Sequence, residues 1–306
     1  MKKSILCILA AAFLFGTMEV SLKLAGASFD PIQMTFLRFL IGGLCLLPFA
    51  LYDLKKRQCH LNKSDWLYLF LLGFTCICVS MLLFQIGVLR TNANLAAVVI
   101  STSPVFTMIF AQFFANEKFT LVKFFVLLLN VIGLIIVANP IKLMKGHTAV
   151  DGILITLIAA ASFGLYTAMG KKRIAKIGGL TQSSFSFIMG SLVLLVIQLA
   201  KKGPVMKGIQ PNTLPLLLYL GVLVTGFGYF CYIRAIEVSG PSTASITFFI
   251  KPVFAPIIAF LVLKEPITLN IILGVVFVLS GSLLNLFGEK IRASFSSAAS
   301  SKEEAA

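Results

Sequence analysis

Three ionisable side chains, Glu19, Arg38 and Lys251, fall deep inside long apolar runs of this 306-residue chain. A charge at the centre of a bilayer costs about 2.5–3.5 kcal/mol on insertion scales, so each should face the protein interior and find a partner there. One acid and two bases can hold a proton, a carboxylate or an ammonium group. Glu19 can neutralise either Arg38 or Lys251, and the cation left over is expensive unless it titrates or meets an anionic ligand group. On one reading Lys251 receives a substrate carboxylate and Glu19 an amino group or a proton. On the other, Glu19 and Arg38 are a structural pair and Lys251 bonds to backbone carbonyls.

Helical spacing gives these groups neighbours. Ala12, Gly16, Glu19 and Lys23 share one helix face at steps of four, three and four, and Thr243, Thr247, Lys251 and Ala255 do so at steps of four. Gln85 and Ser103 can add hydrogen bonds, and Tyr166 and Tyr229, with Phe84, Phe106, Phe163 and Tyr232, can wall a flat or apolar ligand. The candidate substrate-binding set is therefore Glu19, Arg38, Lys251, Ser103, Thr247, Tyr166, Gln85 and Tyr229.

No residue reads as catalytic. His60 and His147 lie between apolar runs, Asp53, Asp65 and Asp151 are not central to any run, and there is no HExxH motif. Gly164 to Lys172 has the wrong spacing for a phosphate loop. Cys7, Cys45, Cys76, Cys78 and Cys231 lie in apolar runs, and Cys59 in a basic loop. Cys76 and Cys78 point about 200° apart on a helix, poor geometry for one metal, so no metal or cofactor is expected.

The elements that hold these residues are apolar runs of about 20 residues, the length that crosses roughly 30 Å of hydrocarbon as a helix. They lie near 4–25, 31–51, 66–88, 92–114, 121–138, 150–170, 180–200, 213–235, 241–263 and 267–287. With 58% hydrophobic residues the chain cannot cover a soluble globule with polar surface. The fold class is an all-α membrane protein with ten transmembrane helices. The first run is retained as a helix instead of being cleaved as a signal, because residues 5–24 align with 153–172 in the chain's interior.

That alignment is general. Shifted by 148 positions, the chain matches itself without gaps: Phe15-Gly16 falls on Phe163-Gly164, Gly42 on Gly190, Gly73 on Gly221, Pro104-Val105-Phe106 on Pro252-Val253-Phe254, Glu117 on Glu265 and Gly133 on Gly281. Residues 1–140 form the first five-helix repeat and 149–288 the second, with a linker at 141–148 and a tail, 289–306, read as disordered. Five spans is an odd number, so the second copy enters the membrane from the opposite face and the two repeats are inverted. Secondary transporters use such pairs to alternate access around a midplane site.

Pro104 and Pro252, at matching depths of the fourth and ninth runs, each lack a backbone N–H and should interrupt those helices as hinges. Glu117 and Glu265 end the same runs, three residues before Thr120 and Thr268. They are expected to act as helix-end clamps at the start of the next helix.

The net charge of +15 is a topology signal. With the N-terminus inside, the inner loops and tails hold sixteen Lys and Arg and the outer ones eight, which puts both termini in the cytoplasm of a multi-pass plasma-membrane protein. Nucleic acid is not an expected partner. The expected partners are a small-molecule substrate, the lipid bilayer, and a proton or an exchanged solute; monomer and homodimer both stay open.

Tyr229-Phe230-Cys231-Tyr232-Ile233-Arg234-Ala235-Ile236, Lys251-Pro252-Val253-Phe254-Ala255-Pro256 and Leu263-Lys264-Glu265-Pro266, followed by Gly274 and Gly281, resemble the second half of EamA-type members of the drug/metabolite transporter superfamily. Pro104 through Glu117 to Gly133 repeats the pattern. The resemblance covers residues 1–288. It implies a central cavity lined by helices 1–4 and 6–9, with the fifth and tenth peripheral, and export or exchange of small metabolites, often amino acids. Members often have Trp where this chain has Phe15, and Glu19 is unusual at its position, which hints at a cationic or zwitterionic group in the site. A channel or facilitator, or less readily a membrane-embedded enzyme, is the alternative.

Overall fold

A computed structural model of the chain describes residues 2–114, 120–138, 150–235 and 246–281, with 283, 284 and 287. All regular structure among them is helical. We label the helices α1 (Lys2–Ala25), α2 (Pro31–Lys56), α3 (Lys63–Arg90), α4 (Ala93–Phe114), α5 (Leu121–Ala138), α6 (Val150–Gly170), α7 (Gly179–Ala200), α8 (Leu214–Ala235), α9 (Ile246–Leu263) and α10 (Leu269–Gly281). Seven of these, α1–α4 and α6–α8, are long and apolar enough to cross a membrane, and the described parts of α5, α9 and α10 are shorter apolar helices. Glu117, the 141–148 linker, Thr243 and the 289–306 tail lie outside the described residues.

Local chemistry starts and stops the helices. Asp30 accepts from the backbone N–H groups of Ile32 (2.9 Å) and Gln33 (3.3 Å), and Pro31 occupies the first turn of α2, where its missing N–H costs nothing. Asn62 and Asp65 form a reciprocal capping box at the start of α3. Thr120 accepts from Lys123 N–H at 3.3 Å, the expected cap of α5. Outward faces carry Phe13, Phe49, Leu192 and Phe260 about half exposed, a surface that is cheap against lipid and hazardous in water.

Packing between the halves is reciprocal. A Cβ on Gly16 of α1 would lie 2.9 Å from Phe254 Cβ of α9, and a Cβ on Gly164 of α6 would lie 2.6 Å from Phe106 Cβ of α4. Gly16 and Gly164 are 148 residues apart, as are Phe106 and Phe254. Gly73 of α3 likewise packs on Gly190 of α7, and its counterpart Gly221 of α8 packs on α2 at Gly42 and Ile41. Gly133 meets the Gly274 carbonyl, and Gly281 meets the Val126 carbonyl, joining α5 to α10. Every such contact swaps halves under the shift. Small residues let the backbones approach, and hydroxyls then bond across: Ser80 donates to the Ala159 carbonyl and Ser184 to the Gly43 carbonyl, both at 2.8 Å.

The helices bearing Pro104 and Pro252 behave differently. α4 breaks at Ser101-Thr102, whose hydroxyls bond back to the carbonyls of Ala97 and Val99 at 2.7 Å just before Pro104. α9, by contrast, stays helical through both Pro252 and Pro256. A proline removes one N–H and leaves the rest of the ladder intact, so without a Ser-Thr pair to compete for carbonyls the helix continues. In addition, α3 widens to a π-helix over Phe74–Met81 and α8 over Tyr219–Phe227, at overlapping repeat positions.

Candidate functional site

Because Gly16 lets α1 lie against α9, the polar group one turn further along α1 reaches the polar group one turn back on α9. Glu19 Oε1 lies 2.6 Å from Lys251 Nζ. The approach has the length of an ion pair but not the angles of a hydrogen bond, and neither Glu19 oxygen has a hydrogen-bond partner among the described residues. Glu19 is wholly buried and Lys251 nearly so. The ammonium also stands 5.7 Å from the Phe84 ring centre. Of the two pairings open to Glu19, the structure makes the one with Lys251.

Arg38 of α2 is thereby left without a carboxylate in ion-pair contact among the described residues. Its side chain is 1% exposed. One terminal nitrogen points at Met18 Sδ and the other at Met81 Sδ, both at 3.6 Å. The guanidinium carbon lies 4.3 Å from the centre of the Phe39 ring, and Nε has no partner among the described residues. Thioethers are weak acceptors.

Between these charges is a cavity of about 30 Å³. Phe15, Met18, Met81, Phe84, Ile100, Ser101, Ser103, Phe163, Tyr229, Phe248 and Lys251 line it. Its aromatic walls interlock: Phe15 packs edge-on to Tyr229 at 5.2 Å and stacks on Phe248 at 6.2 Å. The volume suits about two water molecules and is far below the few hundred Å³ of a metabolite site, so in this conformation the centre has no room for a metabolite.

Of the expected substrate-binding residues, Ser103, Tyr229 and Lys251 line the cavity directly, while Glu19 and Arg38 stand behind Lys251 and the two methionines. Gln85 is buried, its Nε2 donating to the Leu22 carbonyl at 3.4 Å and its Oε1 unpaired among the described residues. Thr247 is also buried, its hydroxyl unpaired among the described residues. Tyr166 packs on Phe163 at 5.6 Å, outside the lining. Sequence reasoning missed Met18 and Met81. Methionine in an apolar run carries no polar signal, and only the position of Arg38 gives it one.

Glu265 clamps a helix end, but not the expected one. Instead of serving α10, its two oxygens accept from Ala93 N–H at 2.9 Å and Asn94 N–H at 3.1 Å, capping α4 in the other half. The chain turns sharply after Leu263, where Lys264 has a φ of 58°, and this carries the carboxylate across to the positive end of α4. Nearby, Lys23 Nζ closes the end of α3, donating to the carbonyls of Val88 (3.1 Å) and Leu89 (3.4 Å) and also to that of Thr91. Opposite ends of α3 and α4 are thus held by opposite charges. At the other end of the molecule Asp65 pairs with Arg173 and Lys176, each at 2.6 Å.

Comparison with known proteins agrees with this architecture. The EamA-like transporter family matches twice, at residues 2–139 and 150–287. An uncharacterized transporter of Clostridium kluyveri is 37% identical over 295 residues, covering 95% of each chain. The uncharacterized transporter YoaV of Bacillus subtilis is 25% identical, over 94% of this chain and 98% of its own. One solved crystal structure superposes with a TM-score of 0.66 at 14% identity, over 93% of this chain and 96% of its own, a likeness of fold alone.

Proposed function

This chain belongs to the EamA-like transporter family, and on that premise we propose a secondary transporter that moves an amino acid or a related zwitterionic or anionic metabolite by alternating access. It acts as an exporter or exchanger in the plasma membrane. Its ten transmembrane helices form two inverted five-helix repeats, with both termini in the cytoplasm. The substrate-binding residues are Glu19, Arg38, Lys251, Ser103, Thr247, Tyr166, Gln85 and Tyr229; the break before Pro104 acts as a hinge.

One observation carries this reading: a small cavity lined by aromatic side chains and Lys251, with Glu19 and Arg38 just behind its wall, lies between halves whose contacts exchange under the repeat shift. Two interlocked copies can rock about a common centre, and rocking opens the cavity first to one face and then to the other. A solute counterflow assay in proteoliposomes, run with a panel of metabolites, tests it. Saturable uptake accelerated by trans solute is expected, with Lys251→Ala and Glu19→Gln each abolishing it while still inserting in the membrane. Linear, unsaturated flux would instead identify a channel, and normal counterflow in both variants would remove these residues from the site.

A further inference from the structure

We propose that the substrate is a net anion, an organic carboxylate with an aromatic or bulky apolar body, and that Arg38 is the residue that receives its carboxylate once Met18 and Met81 move aside. This rests on the transporter reading and narrows its substrate class. Glu19 and Lys251 cancel each other at 2.6 Å, so with Arg38 the three buried charges sum to +1. A zwitterion brought into the site leaves that charge uncompensated, whereas a monoanion balances it. In the low-dielectric centre of a membrane protein that difference decides between the two.

Geometry directs the anion to Arg38. Lys251 already has a carboxylate, while the guanidinium has two thioethers and an aromatic face, the weakest company available to a group with five donors. Both methionines line the cavity on one side and touch the guanidinium on the other, so they are the partition between the two. Methionine is unbranched and easily repacked, and its displacement exposes a planar fork matched to a carboxylate. The rest of the lining, Phe15, Phe84, Phe163 and Phe248, suits a ring or a bulky apolar group.

Three compounds that share a phenethyl body separate the charge classes: 3-phenylpropanoate (anion), phenylalanine (zwitterion) and phenethylamine (cation). Thermal melting of the purified full-length protein with each is expected to show stabilisation by 3-phenylpropanoate alone. Arg38→Met should weaken that binding about 10- to 100-fold, the loss of one charge-assisted contact. Without ligand the same variant should melt at a higher temperature than the wild type, because an unpaired buried charge has been replaced by an apolar side chain. A merely structural arginine would move the unliganded melting temperature down. Arg38→Lys should restore part of the binding. No response to the anion, a response to phenylalanine instead, or a destabilised unliganded Arg38→Met overturns the proposal. Counterflow of any other metabolite would meanwhile leave the transporter reading standing.

Discussion

Glu19 and Lys251 show how one contact can serve both stability and transport. The pair is buried, and each member makes the other tolerable. Removing Glu19 alone leaves Lys251 and Arg38 as two uncompensated cations close together; Glu19→Gln should therefore destabilise the protein by about 3–5 kcal/mol. Lys251→Met strands Glu19 instead and should cost a similar amount. The double variant Glu19→Gln/Lys251→Met removes both charges and should recover most of the lost stability without recovering transport. Chemical unfolding in detergent, paired with counterflow, measures both. Two single-variant losses that simply add in the double variant would show that the pair is not coupled. The three charges were legible in the sequence, since an ionisable residue in an apolar run demands a partner. Which cation pairs with the acid was not. Spacing along α1 and α9 places residues on helix faces, but only the close approach at Gly16 says which two faces meet.

At the scale of elements, α4 is the helix under most control. Its first turn is held by Glu265 from the opposite half, its middle is loosened at Ser101-Thr102, and its second part packs on α6 through Phe106 and Gly164. Pro104 made the loosening predictable. Pro252, alike in sequence, left α9 helical; it lacks a preceding Ser-Thr pair such as the one that bonds back to the carbonyls of Ala97 and Val99 in α4. The π-helical stretches in α3 and α8 have no residue signature comparable to proline. The clamp by Glu265 was expected at α10, its neighbour in sequence, and occurs at α4, its neighbour in space. Since it satisfies two orphan N–H groups with a charge, Glu265→Ala should lower stability by about 1–3 kcal/mol. Glu265→Gln keeps an acceptor oxygen and should lose less. Melting temperatures of the two variants check this ranking, and equal losses would mean that the retained amide oxygen contributes nothing and that the clamp depends wholly on the carboxylate's charge.

For the molecule as a whole, the decisive question is whether the halves are inverted. The 148-residue repeat was legible from end to end, and the reciprocal contacts of Gly16 with Phe254 and Gly164 with Phe106 follow from two copies that embrace each other. Inversion itself rests on the count of five spans per copy, and it makes a prediction about two loop residues 148 apart. Gln58, after α2, and Met206, after α7, are both exposed to solvent, Met206 at 68%. Inverted copies must place such a pair on opposite sides of the membrane, while parallel copies place them on the same side. The positive-inside count assigns Gln58 to the cytoplasm and Met206 to the exterior. In a Cys59→Ser background, a membrane-impermeant maleimide should therefore label Met206→Cys in intact cells, and should label Gln58→Cys only after permeabilisation. The remaining native cysteines are only intermediate or buried in exposure and lie within helices, so the signal comes from the introduced thiol. Labelling of both positions from one side would make the copies parallel and remove the geometric basis for rocking about a shared centre.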